Sequence, residues 1–173
     1  MKSFLNPESV LKKINLKSDM RAADFGSGSG GWVIPLAKKL ENGKVFAIDI
    51  LEEPLSVLRS KLKSEKLDNV ETIQSNIESL NGSKMFPESC DLVLMTNLLF
   101  QSEDKKTIFE EAKRILNPKG RILVVDWKIN QPFGPKILEI SSDDIKKIAK
   151  KLSLKVVKEF EAGPCHWALV LVK

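Results

Sequence analysis

Three features of the sequence predict an α/β fold, a mostly parallel sheet with helices on both faces. The first is residues 21–32, RAADFGSGSGGW. There a short apolar run carrying an acid stops at Gly26, glycines follow at 28, 30 and 31, and apolar periodicity resumes at Val33, Ile34, Ala37 and Leu40. That is strand, tight loop, helix. The second is that strand-like runs alternate with helix-period segments along the chain, as a parallel sheet requires. The third is the end of the chain, where the runs 154–160 and 165–172 are separated only by residues 161–164. So short a connection joins antiparallel strands and nothing else. The sum is a seven-stranded sheet, six strands parallel and the terminal one antiparallel.

Taken in order, residues 7–14 read as a short helix with Val10, Leu11 and Ile14 on one face, expected across the ligand end of the sheet. Glu41, Asn42 and Gly43 give the helix after the glycine loop a C-cap signal. The run KVFAIDI is a second strand that closes on Asp49. Pro54 suits a first helical turn, and Leu55, Leu58 and Leu62 carry that helix to near Leu67. Residues 70–75 form a third strand followed by Asn76 and Ile77, and Asn81-Gly82 is a turn. DLVLMT, residues 91–96, is nearly all apolar, as in a strand buried on both faces. Ser102, with Glu103 and Asp104, starts a helix whose stripe is Ile108, Phe109, Ala112, Ile115 and Leu116, and NPKG at 117–120 stops it. RILVVDW, residues 121–127, is the fifth strand, and 128–140 is a loop with Pro132, Gly134 and Pro135. Ser141 with Asp144 is a capping-box variant. It opens a helix that buries Ile145, Ile148, Ala149 and Leu152 and exposes Lys146, Lys147, Lys150 and Lys151.

A chain of 173 residues fits one domain, residues 1–173, with room for a sizeable core. The apolar stretch at the start is too short for a signal peptide, no run is long enough to span a membrane, and Cys90 and Cys165 have no metal-like spacing. The expected location is cytoplasmic. A net charge of +5 is too small to demand a polyanionic partner, and the lysine face at 146–151 lacks interleaved aromatics, so a nucleic-acid partner is not indicated. Nothing in the sequence reports on oligomeric state.

Glycines serve where the backbone takes positive φ or lies against a ligand, and the next helix offers that ligand its free N–H groups. The loop is therefore a nucleotide-type cofactor site. Gly26-x-Gly28-x-Gly30 resembles the glycine motif of class I S-adenosylmethionine (SAM) methyltransferases, while Gly26-x-Gly28-x-x-Gly31 also satisfies the dinucleotide fingerprint of NAD enzymes. NAD-binding domains usually keep an all-parallel sheet and carry a separate substrate domain, for which this chain has no length. Six parallel strands and one antiparallel terminal strand is the Rossmann-like layout of the methyltransferases.

The resemblance covers nearly the whole chain. DFGSGSG, residues 24–30, is similar to the family's first motif, with Asp24 two positions before the first glycine. It implies cofactor contacts from Asp24, Gly26, Ser27, Gly28 and Gly30. Asp49 matches the acid that binds both ribose hydroxyls, a role that suits a carboxylate because it accepts two hydrogen bonds at once. Ile50 matches the apolar residue packed on adenine, and Asn76-Ile77 stands where the family often has Asp and a small apolar residue beside the adenine amine. DLVLMTNLLFQ resembles the fourth motif, and NPKGRILVVDW the family's helix, turn and fifth strand. The subgroup it most resembles includes the ubiquinone and menaquinone biosynthesis methyltransferases. Two departures narrow the acceptor. The quinone enzymes carry a longer insertion where this chain has only the loop 128–140, which argues against a quinone. Thr96-Asn97-Leu98 replaces the Asn/Asp-Pro-Pro-aromatic motif of enzymes that methylate adenine amines or glutamine amides.

Methyl transfer from a sulfonium is an in-line displacement that needs alignment and exclusion of water more than catalytic groups. Acceptor contacts fall beyond the carboxyl ends of the strands, at residues 96–101, Trp127 and Lys128, and at the start of the final strand. His166, the single histidine, lands on that edge. His166 and Asn97 are the candidate catalytic residues, the imidazole hydrogen-bonding the acceptor or taking its proton near neutral pH, and Asn97 orienting acceptor or cofactor from the other side. Trp127 and Trp167 are expected in packing. The reading is a SAM-dependent methyltransferase with a small-molecule acceptor. Its alternatives are an RNA or protein methyltransferase, a non-catalytic SAM-binding module, and an NAD-binding protein.

Overall fold

The computed structural model describes residues 5–130, 134–135 and 140–173. In chain order the elements are α1 (Pro7–Leu11), β1 (Arg21–Phe25), α2 (Val33–Lys39), β2 (Lys44–Asp49), α3 (Glu52–Glu65), β3 (Val70–Gln74), β4 (Cys90–Thr96), α4 (Lys105–Ile115), β5 (Leu116–Trp127), α5 (Ser142–Lys151), β6 (Lys155–Gly163) and β7 (His166–Val172). A single 3-10 turn, Leu99–Gln101, lies between β4 and α4. The strands form one sheet in the order β3-β2-β1-β4-β5-β7-β6. All pairings are parallel except those of β7, which runs antiparallel to β5 and to β6. This is the expected six-plus-one sheet. The order reverses direction between β1 and β4, and open α/β sheets bind ligands at such a switch point.

Side-chain alternation divides the core into two layers. Ala23, Phe25, Val93, Met95 and Val124 pack with Phe109 and Ile115 of α4 and Ile145 of α5. Ala22, Val45, Leu94 and Val125 pack with Val10 of α1, Leu36 of α2 and Leu55 and Leu58 of α3. β1, β2, β4, β5 and β7 serve both layers, which is why β4 and β5 read as unbroken apolar runs, while the edge strand β6 is mostly exposed.

Several local expectations shift. α1 stops at Leu11 and packs on α2, its first residues sharing a surface hollow with Gly31 and Ile34. The turn after it reaches the far edge, where Lys158 donates to the Lys13 carbonyl and Lys13 to that of Glu161. Ser102 is not the cap of α4. Asp104 is, accepting from the Thr107 N–H at 3.0 Å, while the Ser102 hydroxyl turns back to the Leu98 carbonyl. β5 begins at Leu116 opposite Cys90 and passes through a register shift before regular pairing from Arg121. β6 runs to Gly163, so only Pro164 and Cys165 remain between the last two strands. The Ser141–Asp144 capping box forms as read. Of the 128–140 loop, residues 131–133 and 136–139 lie outside the described residues. Among the described residues no helix is long and apolar enough to cross a membrane, and no cluster of His, Cys, Asp and Glu fits a metal ion.

Candidate functional site

β1 and β2 end side by side, and the loop between β1 and α2 folds over their ends. The N–H groups of Gly26 and Ser27 both donate to the Ile48 carbonyl, at 2.8 and 3.0 Å, which turns the chain sharply off β1. Gly26, Gly28 and Gly30 all take positive φ, at 72°, 52° and 90°. The last two differ in what surrounds them. A Cβ on Gly30 would stand 2.4 Å from Leu58 Cδ1, whereas a Cβ on Gly28 would meet nothing within 4 Å. Gly30 is glycine so that the loop can pack on α3; Gly28 borders open space. Lys61 of α3 steadies the loop by donating to the Ser29 carbonyl at 2.9 Å.

That space is a cleft of about 390 Å³ bordered by Gly26, Gly28, Asp49, Ile50, Asn76 and Ile77. The structure therefore brings six of the expected cofactor residues onto one cavity. Two larger surface hollows, of about 540 and 410 Å³, lie along α1; the second touches Gly31, and neither is lined by Asp49 or by the positive-φ glycines. Asp49 lines the cleft, its carboxylate accepting from the N–H groups of Gly28 (2.8 Å) and Leu51 (3.0 Å). Ile50 is 57% exposed on the rim, and Ile77 is buried in the floor. The Asn76 side-chain oxygen accepts from the Glu78 N–H at 2.9 Å, an Asx turn that leaves one lone pair.

Asp24 and Asn97 lie behind the cleft. Asp24 is fully buried, and neither carboxylate oxygen has a hydrogen-bond partner among the described residues. Burial, then the nearby charge of Asp49, raises its pKa to about 8. The buried Ser27 hydroxyl and the Asn97 side-chain oxygen are likewise without a partner. Asn97 takes left-handed backbone, φ 50°, as β4 ends, with its N–H on the Val125 carbonyl and its carbonyl accepting from the Gln101 amide. Asparagine is among the few residues that tolerate this conformation.

His166 is not among the residues lining this cleft. It sits on β7 opposite Trp127 of β5, 1% exposed, with the two ring centroids 4.2 Å apart. Strand alternation places it on the Ala168 face of the sheet, the face that carries Asp24. Burial, and then the charge of Lys128, lower its pKa to about 4. The imidazole is thus neutral at pH 7 and titrates well below the neutral range expected for it. Trp167 packs in the core and donates its indole N–H to the Trp127 carbonyl, as expected of a packing residue.

Two acids escaped sequence reading. Asp126 is fully buried at the end of β5 and accepts from the N–H groups of Leu99, Phe100 and Trp127. Glu78 accepts from the N–H groups of Glu103 and Asp104 and so fixes where α4 starts. For Asp126 a signal existed, a carboxylate closing the apolar run ILVV; for Glu78 there was none.

This architecture matches known proteins. A family model described as a methyltransferase domain matches residues 16–164. The demethylmenaquinone methyltransferase of Lactococcus lactis is 26% identical over 88% of this chain and 60% of its own length. That of Geobacillus stearothermophilus is 32% identical over 72% of this chain and 53% of its own. The chain therefore spans between half and two thirds of these relatives. Among solved structures, a SAM-dependent methyltransferase from Aquifex aeolicus superposes with a TM-score of 0.88 at 27% identity, covering 98% of this chain and 90% of that one. By the extent of the family match, the chain belongs to the methyltransferase domain family.

Proposed function

We propose that this protein transfers a methyl group from SAM to a small-molecule acceptor by in-line displacement. One observation carries the reading: a fully buried carboxylate, Asp24, has no partner among the described residues and stands beside a glycine loop that borders an open cleft. A buried acid without a partner is costly. A cationic ligand relieves that cost, and SAM carries positive charge at its sulfonium and ammonium groups, whereas the dinucleotide pyrophosphate of NAD would meet two acids. The residues present fit SAM. Asp49 offers ribose hydroxyls a carboxylate with free lone pairs, Ile50 and Ile77 offer adenine apolar surfaces, and the remaining lone pair of Asn76 suits an amine N–H. Asp24, Ser27 and Asn97 hold the unsatisfied acceptors for the amino-acid end, and Gly26, Gly28 and Gly30 let the backbone approach.

When bound, SAM supplies a methyl group already activated by its sulfonium. The chain's part is to hold the donor, exclude water and orient the acceptor. In this reading the acceptor lies over the ends of β4, β5 and β7. Neutral His166 is assigned the hydrogen bond to it, which requires the buried ring to turn off Trp127; with a pKa near 4 the imidazole is a weak base, which suits an acceptor that needs little help losing a proton. A small-molecule acceptor is favoured by the named substrates of the relatives. A nucleic-acid acceptor is disfavoured because Lys146 and Lys147 of the basic face are engaged in ion pairs with Asp143, Glu159 and Asp144. The buried free thiols of Cys90 and Cys165 suit a cytoplasmic location.

The experiment is transfer of labelled methyl from SAM into cell extract fractionated into small molecules, RNA and protein. Label is expected in the small-molecule fraction, and His166→Ala should lower that transfer about tenfold or more with SAM affinity nearly unchanged. SAM binding with no label in any fraction would leave a non-catalytic SAM-binding module as the better account.

A further inference from the structure

We propose that Asp126 is a positioning residue for the cofactor cleft, its buried carboxylate fixing the 3-10 turn that forms the cleft wall opposite Asp49. The inference rests on the methyltransferase reading above. Oδ2 of Asp126 accepts from the N–H groups of Leu99 and Phe100 at 3.0 and 3.2 Å, and Oδ1 from that of Trp127 at 2.9 Å. The carboxylate thus bridges the end of β5 to the turn that follows β4, across two strands that carry the acceptor edge.

The turn is not a bystander. Leu98, Gln101 and Ser102 border the same cleft as Asp49 and Gly28. Leu98 packs so closely on the glycine loop that a Cβ on Gly26 would stand 2.8 Å from its Cδ1. Gln101 donates to the carbonyl of Asn97, the residue in left-handed backbone whose side-chain oxygen has no partner among the described residues. Leu99 is fully buried, so without a carboxylate its N–H would be left unsatisfied out of reach of water. Moving Asp126 therefore moves the wall, Asn97 and the contact with Gly26 together.

The device is sensitive to protons. Burial outweighs the three N–H donors and brings Asp126 to about 6, with Lys105, whose ammonium donates to the Ser102 carbonyl, pulling the other way. The cross-strand partner Trp167 is uncharged, and Trp127 and Phe100 contribute only N–H groups. His166, near 4, and Asp24, near 8, titrate on either side of that step. A proton on Asp126 weakens an acceptor that three N–H groups share.

The test uses the full chain, with SAM affinity by calorimetry and amide NMR signals followed from about pH 8 to about pH 5. The signals of Leu99, Phe100 and Trp127 should shift together with a midpoint near 6, and SAM affinity should fall about tenfold across the same step. Asp126→Asn should lack the step and bind SAM about tenfold more weakly than wild type at the alkaline end. The titration of Asp24 is common to both proteins and drops out of the comparison. Equal SAM affinity in wild type and D126N overturns the proposal, as do amides that titrate while affinity stays flat. If D126N does not fold, the wild-type titration decides alone. Wild type that binds no SAM at any pH brings down the methyltransferase reading and this inference with it; SAM binding indifferent to Asp126 brings down the inference only.

Discussion

Asp24 and Asp126 are both fully buried carboxylates at the sheet's carboxyl edge, on strands separated by β4. Around Asp126 three backbone N–H groups converge, and its pKa rises only to about 6. Around Asp24 no described residue places a donor, and its pKa rises to about 8. Burial acts on both; the difference lies in the three N–H partners and Lys105, which lower Asp126, and in the charge of Asp49, which raises Asp24 further. A buried acid whose acceptors are filled by the fold is part of the scaffold. One whose acceptors are empty is a socket for something the fold does not supply. The same contrast separates Gly30, glycine because α3 presses on it, from Gly28, which borders open space.

The comparison breaks if ligand-facing residues turn out to matter only for folding. The largest effect is expected at Asp49. Replacing it with alanine removes two charge-assisted bonds to ribose, each worth about 1.5–3 kcal/mol, so SAM affinity should fall by about a hundredfold or more. Retention of wild-type affinity in calorimetry would mean that the cleft is not the ribose site.

Asp24→Asn should weaken SAM by roughly ten- to a hundredfold, the worth of one charged hydrogen bond, yet make the ligand-free protein less sensitive to alkaline pH. The sign follows from linkage. Asp24 has its folded pKa raised from 3.8 to about 8, so between those values the folded state binds the extra proton and stability falls as pH rises. The variant lacks that loss, so thermal melts should show it gaining on wild type toward pH 8. A melting difference that does not change with pH would contradict the socket picture of Asp24.

The smallest effect sharpens the glycine contrast. Gly28→Ala and Gly30→Ala both place alanine at positive φ, at a cost of about 1–3 kcal/mol. Only Gly30→Ala also drives a Cβ into Leu58, so it should lower the melting temperature further, while Gly28→Ala should lower SAM affinity further. Parallel losses in both variants would erase the distinction.

The legible and illegible parts of this molecule follow the same division. Strand, glycine loop, helix and the acid at the end of β2 could be read because each is encoded by neighbours in sequence. The antiparallel position of β7 could be read because a short connection permits nothing else. The cap of α4 could not, because Ser102 and Asp104 are both good caps, and the choice falls to Glu78, which grips the Glu103 and Asp104 N–H groups from a distant loop. The burial of His166 depends on Trp127, which meets it only through the β5–β7 register. Asp126 acts on a turn contributed by another strand, and its three partners appear nowhere in its own neighbourhood but one, Trp127.

The central claim is that the Asp24–Asp49 edge is a site for a cationic adenosyl cofactor. Calorimetry of the wild-type chain with SAM and with NAD at neutral pH tests it most directly. The account predicts saturable binding of SAM and none of NAD; tight NAD binding without SAM binding would contradict it.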